Sequence, residues 1–213
     1  MGIAQGSEQT RGAKRGERCA RGFVRTWRLW AAVGAVLLGE CLIVGLLRPQ
    51  SGTVWAFERV RARERDFLEV HRRAGLVFQN PDDQLSCPTG LEDVAFGPLN
   101  LGHSEDGARR LAARALAGVG LSGFEKRITY RLSAGENRLV ALAAVLVREP
   151  QVLLLDEPAN GQNETASESV CRLLAGLPQA MMIVSHQRDL LAPLVQRTPV
   201  MAGERRGAAR GAG

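Results

Sequence analysis

Three apolar runs of strand length punctuate this chain: AGLVF from residue 74, QVLLL from residue 151 and AMMIVS from residue 180. Each has the length of a strand and none alternates with polar residues, which predicts strands covered on both faces. Between them the apolar spacing turns helical. Ser104 opens a segment in which Leu111, Ala115, Leu116 and Val119 recur at helical intervals. LSAGENRLVALAAVLVREP predicts a second helix stopped by Pro150, and a third is expected around residues 164–175. Strands of this kind alternating with helices predict an α/β domain with a parallel sheet.

Upstream the pattern changes. Residues 1–28 are Gly/Arg-rich without hydrophobic periodicity and read as a disordered leader. Residues 29–47 form an apolar run interrupted by one charge, Glu40. RPQSGTV then reads as a turn into a short strand, and residues 58–73 as a charged helix or loop. NPDDQLSCPTGLEDVAFGPLNLG, from residue 80, is rich in turn residues with short apolar pieces. No internal repeat is seen.

Composition narrows the class. With 213 residues, 45% hydrophobic and 23% charged, the chain suits one globular domain with a sizeable core. The net charge of +6 is concentrated at the two ends. These basic ends read as solvated tails, and no specific nucleic-acid partner is expected. Cys19, Cys41, Cys87 and Cys171 are scattered, without metal-ligand spacing or a disulfide framework. Only two lysines exist, Lys14 and Lys126, and neither stands in a glycine-lysine-hydroxyl context.

The candidate chemistry sits at strand ends. GLVF runs into Gln79, VLLL into Asp156-Glu157 and MMIVS into His186. Ligands of an open parallel sheet bind beyond the carboxyl ends of its strands, so these side chains are placed to converge. One carboxylate can hold Mg²⁺ together with phosphate oxygens and water, and its neighbour can act as base toward an attacking water. Ser133 and Glu136 have the spacing of a capping box, which by itself explains a helix start. The small Ser133-Ala134-Gly135 turn also leaves backbone N–H groups open at a helix N-terminus, which suits a phosphate.

These segments together resemble a known family. RLSAGENRLVALAAVLVREPQVLLLDEP is similar to the signature helix and Walker B strand of ABC-transporter ATPases. GLVFQNPDDQL…PTGLEDVAFGPLNLG resembles the Q-loop region of the cobalt/nickel and energy-coupling-factor importers, and VSHQRDL resembles the switch-histidine segment. The resemblance covers roughly residues 43–204. It implies a P-loop NTPase-like parallel sheet with helices on both faces and an ABC-type helical subdomain at about 80–147. This would lie in a domain over 29–204, with a basic leader at 1–28 and a tail at 205–213. It also implies roles. Gln79 would be the Q-loop glutamine, reaching Mg²⁺ or water. Asp156 would hold Mg²⁺, Glu157 would be the general base and His186 the switch histidine. Ser133, Ala134, Gly135 and Glu136 would contact ATP bound to an opposite subunit. The implied cofactors are ATP and Mg²⁺. The implied partners are a second ABC ATPase subunit and a transmembrane transporter subunit docking near residues 80–101, at the cytoplasmic face of the cell membrane. Cobalt, nickel or a vitamin would be the cargo, chosen by the membrane subunits.

The chain also departs from this family. Ala134 replaces a usual glycine, and Ala159 to Asn163 lacks the leucine and aspartate of the D-loop. The family's N-terminal antiparallel strands are expected to be missing. GAVLLGEC at residues 34–41 has the two glycines of a P-loop but puts Glu40 and Cys41 where lysine and a hydroxyl belong. Counting back from GLLRPQSGTV, the family pattern places the lysine on Val36, so GAVLLGEC is also out of register. ATP hydrolase activity is therefore implied only by resemblance, and the chain's own ATP site is expected to be impaired. A heterodimer follows more readily than a homodimer, which would have two defective sites. The alternatives are a catalytically silent partner subunit or a frame-shifted remnant, and a single-pass membrane protein anchored by residues 29–47, whose length is about that of a bilayer span.

Overall fold

The computed structural model describes residues 40–49, 52–159 and 164–185, together with 187 and 194. The expected leader and tail, the segment before residue 40 and His186 lie outside the described residues.

At the centre of the sheet is β4 (Val152–Asp156), flanked in parallel by β3 (Ala74–Val77) and β5 (Ala180–Val184). Leu154 sits beside Leu76 on one side and Met182 on the other. Successive side chains of a strand point to opposite faces. Val152 and Leu154 therefore join one cluster with Ile43, Val44, Phe67 and Val70. Leu153 and Leu155 join another with Leu142, Val145, Val170 and Leu174. Both faces are covered, which is why the run has no polar alternation. Each fully buried leucine contributes roughly 1.5–3 kcal/mol through burial.

The first face is closed by helix α1 (Glu64–Arg73) and by a hairpin of β1 (Val54–Ala56) and β2 (Arg59–Arg61). The charged stretch expected as helix or loop thus holds a strand as well as a helix. Its turn, Phe57-Glu58, carries φ values of 50° and 62° without glycine or asparagine, so the usual turn signal is absent. Tertiary contacts support it instead. The Phe57 side chain is buried, and the Arg73 guanidinium lies 3.9 Å from its ring centre. Arg61, also buried, donates to the Ala56 and Asp66 carbonyls and to the Glu69 carboxylate. Asp66 in turn accepts from the N–H groups of Ala62 and Arg63 at the start of α1.

The second face is covered by α4 (Ala134–Leu146) and α5 (Glu164–Ala175). Beside α4 lie α2 (Gly90–Asn100) and α3 (Glu105–Gly118). The alanines Ala95, Ala108, Ala112 and Ala143 let these three helices pack closely around Val94, Leu116 and Val140. Helix α2 corrects the turn-rich reading of residues 80–102. Thr89 accepts from the Glu92 N–H, and Glu92 accepts from the Thr89 N–H and hydroxyl. This reciprocal cap satisfies orphan donors of the first turn. Ser104 caps α3 by accepting from the Gly107 N–H, as the spacing predicts.

The apolar run 29–47 is described only from Glu40. Residues 40–43 are helical, Ile43 and Val44 enter the core, and Gly45 turns the chain at φ +76°. An added Cβ at Gly45 would meet the Phe67 ring, so both φ and space call for glycine. The end of the run is therefore core and turn. Among the described residues no helix is long and apolar enough to cross a membrane.

Candidate functional site

Among the described residues the expected polar groups follow β3 and β4, and the end of β4 meets that of β5. Asp156 closes β4 and Glu157 follows it. The Glu157 N–H donates to the Val184 carbonyl across the sheet (2.8 Å), and the residue sits at φ +45°. A left-handed non-glycine residue is costly unless its surroundings hold it there. Here the hold is visible. The Ser185 hydroxyl donates to Glu157 Oε2 (2.8 Å) and itself accepts from the Gln187 N–H (3.1 Å). The carboxylate is thus tied to the end of β5 at both its backbone and its side chain.

Asp156 is only 3% exposed, and its Oδ2 has no hydrogen-bond partner. Burial pushes its carboxyl above the usual range, and the Glu157 charge adds to this. A buried carboxylate oxygen without a partner fits a hard cation that brings its remaining oxygens from water or phosphate. Among the described residues no group of three or more His, Cys, Asp or Glu side chains is placed to hold a metal.

Glu40 changes this environment. It is 2% exposed, and its Oε1 also lacks a partner. Burial, and secondarily the Asp156 charge, push its carboxyl up to about 8. At neutral pH Glu40 is therefore mostly a neutral carboxylic acid, and it supplies no positive charge to neutralise a polyphosphate beside Asp156.

The second part of the site is the N-terminus of α4. Ser133 and Ala134 are exposed there. Ser133 Oγ accepts from the Glu136 N–H (3.3 Å), while Glu136 Oε2 accepts from the Ser133 N–H (2.7 Å) and hydroxyl (2.8 Å). The Ser133 bonds, together with Arg127, hold the Glu136 carboxyl below its usual range. Ala134 is not among the positive-φ residues, so its Cβ introduces no backbone strain where the resemblance leads one to expect glycine.

Gln79 follows β3 at the edge of this helix. The Arg138 Nη2 donates to the Gln79 carbonyl (2.8 Å). Gln79, Asn80, Tyr130, Ala134, Asn137 and Arg138 help line a cavity of about 560 Å³. Arg138 also feels the Glu157 charge, which links the α4 side of the site to the strand ends. The structure thus brings Asp156, Glu157 and Ser185 together, and separately Gln79 with Ala134, Asn137 and Arg138. Sequence reasoning missed Ser185, Asn137, Arg138 and the burial of Glu40. Ser185 stands directly before His186 and was the nearest to a legible signal. Asn137 and Arg138 read only as helix surface.

Comparison with known proteins follows the same lines. The ABC transporter family matches residues 41–160. A Nitratidesulfovibrio vulgaris protein, provisionally named as an ABC transporter ATP-binding protein, is 48% identical over 71% of this chain and 55% of its own length. The energy-coupling factor transporter ATP-binding protein EcfA of Methanothermobacter thermautotrophicus is 39% identical over 74% of this chain and 52% of its own. The chain thus spans little more than half the length of these relatives. Among solved structures, CbiO1 of Clostridium perfringens, part of the ABC transporter complex CbiONQ, superposes with a TM-score of 0.67. It is 30% identical and covers 78% of this chain and 68% of the other. A dimeric bacterial ABC transporter cassette, 23% identical, shares the fold with a TM-score of 0.64, covering 72% of this chain and 71% of its own.

Proposed function

Because the chain belongs to the ABC transporter family, we propose that it is an ATP-binding-cassette subunit of an importer of the energy-coupling-factor or cobalt/nickel type, with its own nucleotide site impaired. The observation that carries this reading is the contrast between its two half-sites. The N-terminus of α4 is regularly capped and exposed, a form suited to a phosphate. The strand-end site has a buried, mostly neutral Glu40 near Asp156, and the sequence supplies no P-loop lysine to neutralise a polyphosphate. Ser133, Ala134, Gly135 and Glu136 would then serve ATP held by a second ATPase subunit. That subunit would be a paralogue, since two copies of this chain would pair two sites that both lack the P-loop lysine.

In its own site Asp156 would hold Mg²⁺, which supplies charge neutralisation for phosphate when bound. Glu157, steadied by Ser185, would accept a proton from water. Gln79 would face the metal or water, and His186 would act as the switch residue. A transmembrane subunit would dock on residues 80–101 at the cytoplasmic face of the cell membrane. The exposed Phe96, Leu99 and Leu101 support that surface, because a contiguous apolar patch marks a contact site. Cargo choice would rest with the membrane subunits.

Equilibrium binding of ATP with Mg²⁺ to the purified chain tests the reading. Without a partner, no micromolar binding is expected. Micromolar affinity of the chain alone overturns the impaired site. A hydrolysing complex with a P-loop-bearing partner, lost on Ser133→Arg in this chain, is the positive result.

A further inference from the structure

We propose that the cavity between Gln79 and α4 binds a nucleobase with an exocyclic amine beside a ring nitrogen, as in adenine: Asn137 pairs with the edge of the base and Tyr130 stacks on its face.

The cavity holds about 560 Å³, a size suited to a small-molecule ligand. Asn137 lines it, is 7% exposed, and has a side-chain oxygen without a partner. Buried polar groups are normally hydrogen-bonded. A carboxamide oxygen only accepts, so what it lacks is a donor, and a phosphate or carboxylate cannot supply one. The same carboxamide carries an NH₂ next to that oxygen. The pair matches the N6 amine and N7 nitrogen of adenine in two parallel hydrogen bonds.

The rest of the lining favours a flat, neutral ring. Asp82 and Arg138 are its one acid and one base, so the lining carries no net charge. A free ammonium would meet Arg138 and an anion would meet Asp82, whereas an uncharged base meets neither penalty. Tyr130 is 76% exposed, which leaves ring surface open for stacking. Leu132 adds apolar wall. Arg138 Nη2 donates to the Gln79 carbonyl at 2.8 Å, which fixes a guanidinium at the cavity, and a base also stacks on such a plane. None of Ser133, Glu136, Asp156 or Glu157 lines this cavity, so the base would bind whether or not the ATP roles proposed above hold.

The test is calorimetric titration of the full-length chain with two nucleosides that carry no phosphate. Adenosine has the amine, and inosine has an oxygen in its place. Saturable binding of adenosine is expected, with inosine weaker by about tenfold or more. Asn137→Leu keeps the side-chain size and removes the amide; Tyr130→Ala removes an exposed ring. Each is expected to weaken adenosine by about tenfold or more, with the circular dichroism of the chain unchanged. Inosine binding as tightly as adenosine overturns the proposal, because the amine is then not read. Adenosine affinity unchanged by either substitution overturns it too, since the nucleoside then binds elsewhere on the chain. No saturable binding of adenosine also overturns it and leaves water as the partner of Asn137.

Discussion

Glu40 is the residue whose chemistry is most at odds with its surroundings. Its folded-state carboxyl titrates near 8, against an ordinary value of 4.5. A group with a raised folded pKa binds its proton more tightly in the folded chain. Its contribution to stability is therefore complete below about pH 4.5 and is lost as the pH climbs through about 8. Asp156 has the same sign. Asp66 and Glu69 are lowered instead, by the backbone N–H of Arg63 and by the Arg61 guanidinium respectively. Their contributions are present above the unfolded pKa and fade in acid. The urea midpoint is thus expected to fall as pH rises from about 5.5 to about 8.5, and Glu40→Gln is expected to flatten that slope. Equal slopes in both chains would remove Glu40 as the cause. At this scale the sequence marked Glu40 as the lone charge in an apolar run, but not that it faces Asp156. That pairing joins residues more than a hundred positions apart.

Among the elements, β3 and α4 meet at Gly75. A Cβ there would lie 2.1 Å from Val145 Cγ1, and Leu153 and Pro150 close the other sides. Gly75→Ala is expected to destabilise the chain by about 1–3 kcal/mol through overpacking, measured by chemical denaturation. Helix α2 offers a milder case. Thr89→Ala removes the side chain that caps the Glu92 N–H, with an expected cost of about 1 kcal/mol and loss of helical signal confined to that segment. Both elements show how legibility varies. The strands β3 and β4 could be read from unbroken apolar runs because burial on both faces leaves no polar position, and β5, half-buried throughout, carries the same kind of run. Helix α2 was hidden by Gly90, Gly97 and Pro98, which read as turn residues. Its Thr89–Glu92 cap and its packing against α3 and α4 outweigh them. The β1–β2 hairpin was hidden because Phe57 and Glu58 hold a turn conformation that only buried contacts with α1 support.

On the scale of the whole molecule, two of the regions that leave apolar residues exposed among the described residues bear on docking. Phe96, Leu99 and Leu101 lie in and just after α2, and Trp55 and Val60 pair across the outer face of the hairpin. If residues 80–101 dock a membrane subunit, Phe96→Asp with Leu99→Asp is expected to leave the melting temperature within a few degrees and to abolish co-purification with that subunit. Trp55→Asp is expected to leave co-purification intact. Retained pairing in the α2 variant would place the contact elsewhere. The sequence by itself determined the α/β class, the three parallel strands, the Ser104 and Ser133 helix starts, and the placing of Gln79, Asp156 and Glu157 at strand ends. Those features follow from local periodicity, capping and chain order. Tertiary structure alone decided that Ser185 holds Glu157, that Arg138 bridges toward Gln79, that Arg127 stands beside Glu136, and that Glu40 is buried beside Asp156. Such contacts depend on which distant elements pack together, and hydrophobic patterning fixes faces without fixing which polar groups will meet across them.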